Sequence, residues 1–293
     1  MDMGSYFRIV NVGSHRHRIE SAVLSGPPRQ TQESALRQSL MKHPKSSLVF
    51  LAILVAVVAT VGLKVRHYYG VAAERPVYPC QHHRDDTLRL TIVGDSWAFC
   101  HRDHDGSLAR LLGERTHRPV KVGTYGLSGA TSKEVYVSMF EDDGLRRLLQ
   151  AGADYCFISV GINDTYKKMG ARYYAHHTVL ILRFLLENGI TPILLEIPDY
   201  DISYAYERQT SDRKLLRRLS MLVTGSPLDC RESYRQALRQ VIEERRIVGP
   251  LIIPNQHWDM SLYQPDRMHL GCRGYEVLDS CICKYIGNNV SLP

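Results

Sequence analysis

Four short segments of the chain carry residue types that together could perform acyl transfer. Gly94-Asp95-Ser96-Trp97 follows an apolar run, where a serine on a tight turn can project its hydroxyl while the next helix supplies backbone donors. Taken alone, Ser96 reads equally well as a helix N-cap. Gly126-Leu127-Ser128-Gly129-Ala130-Thr131 is a small-residue loop in which Gly129 lets the backbone approach a ligand and aim an N–H at it, or simply makes a turn. Gly161-Ile162-Asn163-Asp164 offers the Asn163 amide as a donor to an oxyanion, or a polar turn capped by Asp164. In Asp266-Arg267-Met268-His269 the acid and the imidazole are three residues apart. On one helical turn Asp266 reaches Nδ1 of His269, fixes its tautomer and leaves Nε2 as a general base. A surface Asp and His would be the bland alternative.

The four segments occur in the order such a site needs. A serine hydroxyl is a poor nucleophile at neutral pH, so it requires a base to take its proton. The carbonyl oxygen that it attacks becomes an anion and requires donors placed in advance.

The elements that position these segments follow from hydropathy. Leu88–Val93, Val120–Gly123, Asp154–Val160, Thr191–Ile197 and Leu251–Ile253 read as strands. Helical spacing occupies Ser107–Gly113, Ala171–Asn188, Ser211–Val223, Glu232–Arg245 and about Gly274–Tyr285. Strands alternating with helices predict an α/β domain with a central parallel sheet covered on both faces. In such sheets the chemistry sits at the carboxyl ends of the strands, where the first three segments fall.

On these residues the chain resembles the SGNH hydrolases, also called GDSL esterases and lipases, over about residues 88–287. Ser96 matches the family's block I serine, Gly129 its block II glycine, Asn163 its block III asparagine, and Asp266 and His269 its block V pair. Trp97 departs from the leucine of the family name. The resemblance implies a flavodoxin-like three-layer α/β/α sandwich. It also implies Ser96 as nucleophile, His269 as base, Asp266 as its orienter, and an oxyanion hole from the Ser96 N–H, the Gly129 N–H and the Asn163 side chain. No cofactor or metal is implied. His82-His83 and His101-Arg102-Asp103-His104 lack a complementary ligand set and read as solvated loops.

Ahead of this domain, Ser46–Leu63 runs without a charge between Lys42, Lys45 and Lys64, Arg66. That is long enough to span a bilayer core, which requires at least about 17 residues. The expected organisation is a disordered cytoplasmic tail over residues 1–45, an uncleaved transmembrane anchor over 46–64, a connector over 65–87 and a hydrolase domain over 88–293. Met41 followed by His-Pro and lysines resembles the start of a bacterial signal anchor, so the first forty residues read as an upstream extension. The tail's arginines favour a cytoplasmic N-terminus and a periplasmic or extracellular domain.

The composition, 44% hydrophobic and 23% charged, excludes collagen-like and wholly disordered classes. The net charge of +7 would suit nucleic acid, but an exported domain would rarely meet it. Cys80, Cys100, Cys156, Cys230, Cys272, Cys281 and Cys283 form no regular framework; Cys100 and Cys156 read as buried free thiols.

The segment Asp199–Asp229, with three tyrosines and the basic helix Arg213, Lys214, Arg217, Arg218, could wall the site or be a solvated charged helix. Arg231, Arg235 and Arg239 recur at helical spacing and could face anionic groups. The expected function is a carboxylester hydrolase removing O-acetyl or other short acyl groups from an envelope or extracellular glycan. Transfer of the acyl group to a sugar hydroxyl, a lipid-directed esterase and a non-catalytic binding module are the alternatives.

Overall fold

The computed structural model describes residues 44–255 and 257–289. The expectations for the tail and for a start at Met41 fall on residues 1–43, outside the described residues. The chain divides at Lys64/Val65 into two units. What is described of the first is the start of helix α1 (Pro44–Tyr69). An 18-residue stretch within Leu48–Tyr69 has a mean hydropathy of 2.7, and none of its residues is buried. The helix is thus consistent with a single-pass anchor. It continues beyond the expected limit at residue 64 because no breaker intervenes before Gly70, whose N–H caps Arg66 O at 2.8 Å.

The second unit is built on five parallel strands, β1 (Leu88–Gly94), β2 (Val120–Gly126), β3 (Tyr155–Ser159), β4 (Thr191–Leu195) and β5 (Leu251–Ile253), in the order β2-β1-β3-β4-β5. This is the flavodoxin-like order, and it fixes the layers. Right-handed crossovers that step left from β1 to β2, then rightward for the rest, must put the first helix on the opposite face from the next ones. Accordingly α2 (Ser96–His101) leads into α3 (Asp105–Thr116), which packs with the last helix, α11 (Cys272–Asn289). The other face holds α4 (Ser132–Glu141), α5 (Asp143–Gln150), α7 (Ala171–Glu187) and α10 (Arg231–Glu244). Short helices α6 (Ile162–Lys167), α8 (Ile202–Glu207) and the longer α9 (Ser211–Thr224) complete the domain. The sheet core is apolar on both sides, with Leu88, Leu90, Ile92, Phe157, Ile158 and Leu194 buried, as a doubly covered parallel sheet requires.

The predicted strands and long helices are present, with β1 and β2 reaching Gly94 and Gly126. Helices α4 and α5 went unread, although Thr131-x-x-Glu134 forms a capping box at the start of α4 and Asp142 caps α5. The arginines of α10 are engaged by carboxylates and a carbonyl of the chain itself rather than left free for anions. Arg235 is buried and donates to Ile197 O and Asp199, Arg239 grips Glu196 through two bonds, and Arg231 is paired with Asp229. All seven cysteines are free, and Cys156 is buried as expected whereas Cys100 is part-exposed.

Candidate active site

The register of the sheet brings the first three segments together. Gly94 pairs with Gly126 on one side and Ser159 on the other, so the chains leaving β1, β2 and β3 emerge side by side at the carboxyl edge. Ser96 is the first residue of α2, and the preceding Asp95 caps that helix by accepting the Trp97 N–H at 3.0 Å. Leu127 N–H binds Gly94 O at 2.9 Å, which ties the small-residue loop to the turn that bears Ser96. Gly129 has φ +76°, and a side chain there would meet nothing within 4 Å. Its glycine is therefore demanded by backbone conformation rather than by packing.

His269 Nε2 lies 2.9 Å from Ser96 Oγ, and His269 Nδ1 lies 2.5 Å from Asp266 Oδ2. The other carboxylate oxygen of Asp266 accepts the N–H groups of Met268 and His269 at 2.9 and 3.0 Å. This geometry does not arise from a helical turn as the spacing suggested. Arg267 takes φ +55° in a bent loop, closed by Gln264 N–H to His269 O at 2.7 Å, and the carboxylate folds over its own next residues. Burial works against the charge of Asp266, but the bonds from the His269 ring and the two N–H groups hold its carboxyl below the usual range.

Trp97, the departure from the family motif, fastens this loop to helix α2. Its Nε1–H donates to Met268 O at 3.0 Å, its ring stacks on Trp258 at 5.8 Å, and its own carbonyl accepts the Tyr275 hydroxyl at 3.1 Å.

Asn163, at the start of α6 and 8% exposed, donates through Nδ2 to Asp95 Oδ2 at 3.4 Å. Asp95 is fully buried, and burial, opposed by the Trp97 N–H, pushes its carboxyl up to about 7. Asp164 does not cap its own helix. It is buried and accepts both the N–H and the hydroxyl of Ser132, at 2.8 and 2.6 Å, fastening α6 to the start of α4. Burial outweighs those bonds and raises it to about 6. Lys167 Nζ reaches Gly129 O at 2.6 Å. Asp95, Asp164 and Ser132 thus carry the framework, and sequence reasoning missed them. The capping box beside Ser132 was the available signal.

His101 is not part of a solvated loop. It is 1% exposed, with Nε2 2.6 Å from Asp279 and Nδ1 3.3 Å from Asp105. His82 and His83 are exposed as read.

A groove of about 260 Å³ opens beside the Asp266–His269 loop, with Tyr166, Arg208, Gln209, Arg213, Asp266 and Met268 in its lining. The segment after β4 therefore lines a groove beside Asp266. Both amide atoms of Gln209 are buried there without a hydrogen-bond partner.

A model of the GDSL-like Lipase/Acylhydrolase family matches residues 92–277, well over half the chain. The chain belongs to this family. As a GDSL-like acylhydrolase it is a hydrolase acting on esters. Solved structures similar to it include a lipase/acylhydrolase from Enterococcus faecalis (15% identity, TM-score 0.46, 70% of this chain and 98% of that one). A GDSL-like lipase from Bacteroides thetaiotaomicron is 15% identical (TM-score 0.45, 69% and 89%). A catalytic mutant of an acetylxylan esterase from Geobacillus stearothermophilus is 18% identical (TM-score 0.47, 68% and 94%). No curated protein matches the sequence.

Proposed function

We propose that this acylhydrolase is a membrane-anchored serine esterase that works through an acyl-serine and removes O-acetyl or other short acyl groups from an envelope or extracellular glycan. The observation that carries the chemistry is the continuous chain Ser96 Oγ, His269, Asp266, with links of 2.9 and 2.5 Å. Ser96 Oγ attacks the ester carbonyl carbon while His269 Nε2 takes its proton. The tetrahedral oxyanion accepts from the Ser96 N–H, the Gly129 N–H and Asn163 Nδ2. His269 then returns the proton to the departing sugar oxygen as the carbon–oxygen bond breaks, leaving an ester on Ser96. Water attacks that ester, giving its proton to His269; the bond to Ser96 Oγ breaks, the proton returns to Oγ, and the free acid leaves.

The groove beside Asp266 favours a polar acceptor over a long acyl chain. Gln209 offers an unpaired donor and acceptor, which match sugar hydroxyls, and the guanidinium groups of Arg208 and Arg213 at the lining suit an acidic or hydroxylated ring. The anchor reading draws on the uncovered apolar helix α1, and the basic tail favours an N-terminus in the cytoplasm with the acylhydrolase domain outside it.

The test incubates the full chain in detergent micelles with aryl esters from acetate to octanoate and with acetylated glycans, following release of free acid and formation of new esters. Acid release fastest with acetate, on both substrate types, is expected. A preference for octanoate would reverse the substrate class, and new glycan esters at the expense of free acid would make the protein a transferase.

A further inference from the structure

Helix α9 (Ser211–Thr224) is built inside out. Its inward arc carries Lys214, Arg217, Ser220 and Thr224, which are buried or half-buried. Leu215, Leu216, Leu219, Leu222 and Val223 stand 50–80% exposed on the opposite side. At 3.6 residues per turn these five fall within an arc of roughly 120° pointing away from the domain. An uncovered stripe of that kind marks a surface that meets something apolar.

The polar arc is fixed to the domain. The Arg217 guanidinium lies over the Tyr166 ring at 4.7 Å, and Ser220 Oγ shares a hydrogen bond of 2.5 Å with the Tyr69 hydroxyl. Tyr69 is the last residue of α1, the helix read as the membrane anchor. Tyr69 and Ser220 both lie in the second unit, so α9 is fastened to the residues through which the chain enters that unit. Tyr68 and Tyr69 are residue types that favour the membrane–water boundary. Arg218, exposed, flanks the leucine stripe and complements anionic headgroups. The same guanidinium would lie near its own copy if the stripe paired with a second α9 about a two-fold axis.

We propose that α9 is an interfacial helix whose leucine stripe inserts into the headgroup–acyl boundary of the bilayer that α1 spans. The inference rests on the anchor reading. Arg213 belongs both to α9 and to the lining of the groove beside Asp266, so docking of this helix keeps the substrate groove within about 20 Å, one length of α9, of the lipid surface.

The test reconstitutes the full chain in phosphatidylcholine–phosphatidylglycerol vesicles containing a lipid with a photoactivatable acyl chain. After irradiation, lipid adducts are mapped by mass spectrometry. Adducts are expected on residues 46–64 and on 211–224, and not on the exposed α11 surface at Glu276, Ser280 and Lys284. The triple variant Leu216→Ser, Leu219→Ser, Leu222→Ser changes only exposed side chains. It should lose at least ten-fold of the adducts on 211–224, with those on 46–64 and the hydrolysis of a soluble aryl acetate unchanged. Adducts confined to 46–64 in the parent chain would overturn the interfacial helix and leave the anchor standing. Adducts at 211–224 alone would remove the anchor, and with it the bilayer spanned by α1 on which the proposal rests, whereas adducts at neither would overturn both.

Discussion

His101 links helix α2 to α11 near the far end of the chain through a charge that the fold itself maintains. Each ring nitrogen faces a carboxylate, Asp279 at 2.6 Å and Asp105 at 3.3 Å, so both nitrogens must carry hydrogen and the ring is an imidazolium. Burial opposes that charge, but the bonds to Asp105 and Asp279 prevail and push the ring up to about 9 from an ordinary 6.5. Because the folded value lies above the unfolded one, the resulting stability is fully present below about pH 6.5 and is lost as the pH rises through about 9. That difference corresponds to roughly 3 kcal/mol, or about 6–12 °C in Tm for a domain of this size. The perturbation is His101→Gln, which removes the titrating group and one donor. Thermal unfolding of the full chain in nonionic micelles, followed by tryptophan fluorescence from pH 6.5 to 10, provides the assay. The parent should lose about 6–12 °C more than the variant across that range, since the titrations of lysines, tyrosines and thiols are common to both. Parallel pH profiles would refute the charged clamp, even if His101→Gln were less stable throughout.

Ser96→Ala should abolish both ester hydrolysis and labelling by a serine-directed phosphonate; labelling retained at another serine would reject the nucleophile. Asp266→Asn should leave Tm nearly unchanged but lower kcat by on the order of a thousand-fold or more, because an amide favours the wrong imidazole tautomer and cannot stabilise the imidazolium. Near-normal turnover would mean that another group orients His269. Asn163→Ala should lower kcat by on the order of a hundred-fold with little change in KM, since the amide acts on charge that develops in the transition state. An unchanged kcat would take Asn163 out of the oxyanion hole. A protease applied outside the cytoplasmic membrane should digest the domain after Leu88 and spare a tag at residue 1, and the reverse pattern would invert the topology.

What could be read from the sequence was whatever depends on short spans. The five strands stand out because each is a brief apolar run ending at glycine or a turn, and the order Ser96, Asn163, Asp266, His269 is a property of the chain itself. What could not be read depends on partners remote in sequence. His101 meets Asp279 across 178 residues, and nothing near it distinguishes a buried imidazolium from a loop histidine. The arginines of α10 looked like a basic stripe because Glu196, Asp199 and Ile197 O, which satisfy Arg235 and Arg239, come from the end of β4. The Asp266–His269 pairing was anticipated for the wrong local reason. Three-residue spacing fits a helical turn, but a bend with positive φ at Arg267 brings the same two groups together. Helix α4 is different again, since its capping box was present in the sequence and simply outweighed by the glycine-rich loop before it.

Asp95 shows how burial can serve two demands that would otherwise conflict. The proposed oxyanion donor must be rigid before the substrate arrives, and an amide is best held by an acceptor on one of its two N–H bonds, leaving the second for the substrate oxygen. Asp95 Oδ2 is that acceptor, at 3.4 Å from Asn163 Nδ2, while Oδ1 holds the Trp97 N–H at the start of α2. A permanently charged carboxylate in this position would fix the amide well but repel the negative charge that forms on the carbonyl oxygen. The burial that lifts Asp95 to about 7 makes the neutral acid accessible near physiological pH, and a neutral carboxyl still accepts hydrogen bonds. The buried acid can therefore orient the oxyanion amide without keeping a full negative charge beside the developing oxyanion, which an exposed aspartate of ordinary acidity could not do.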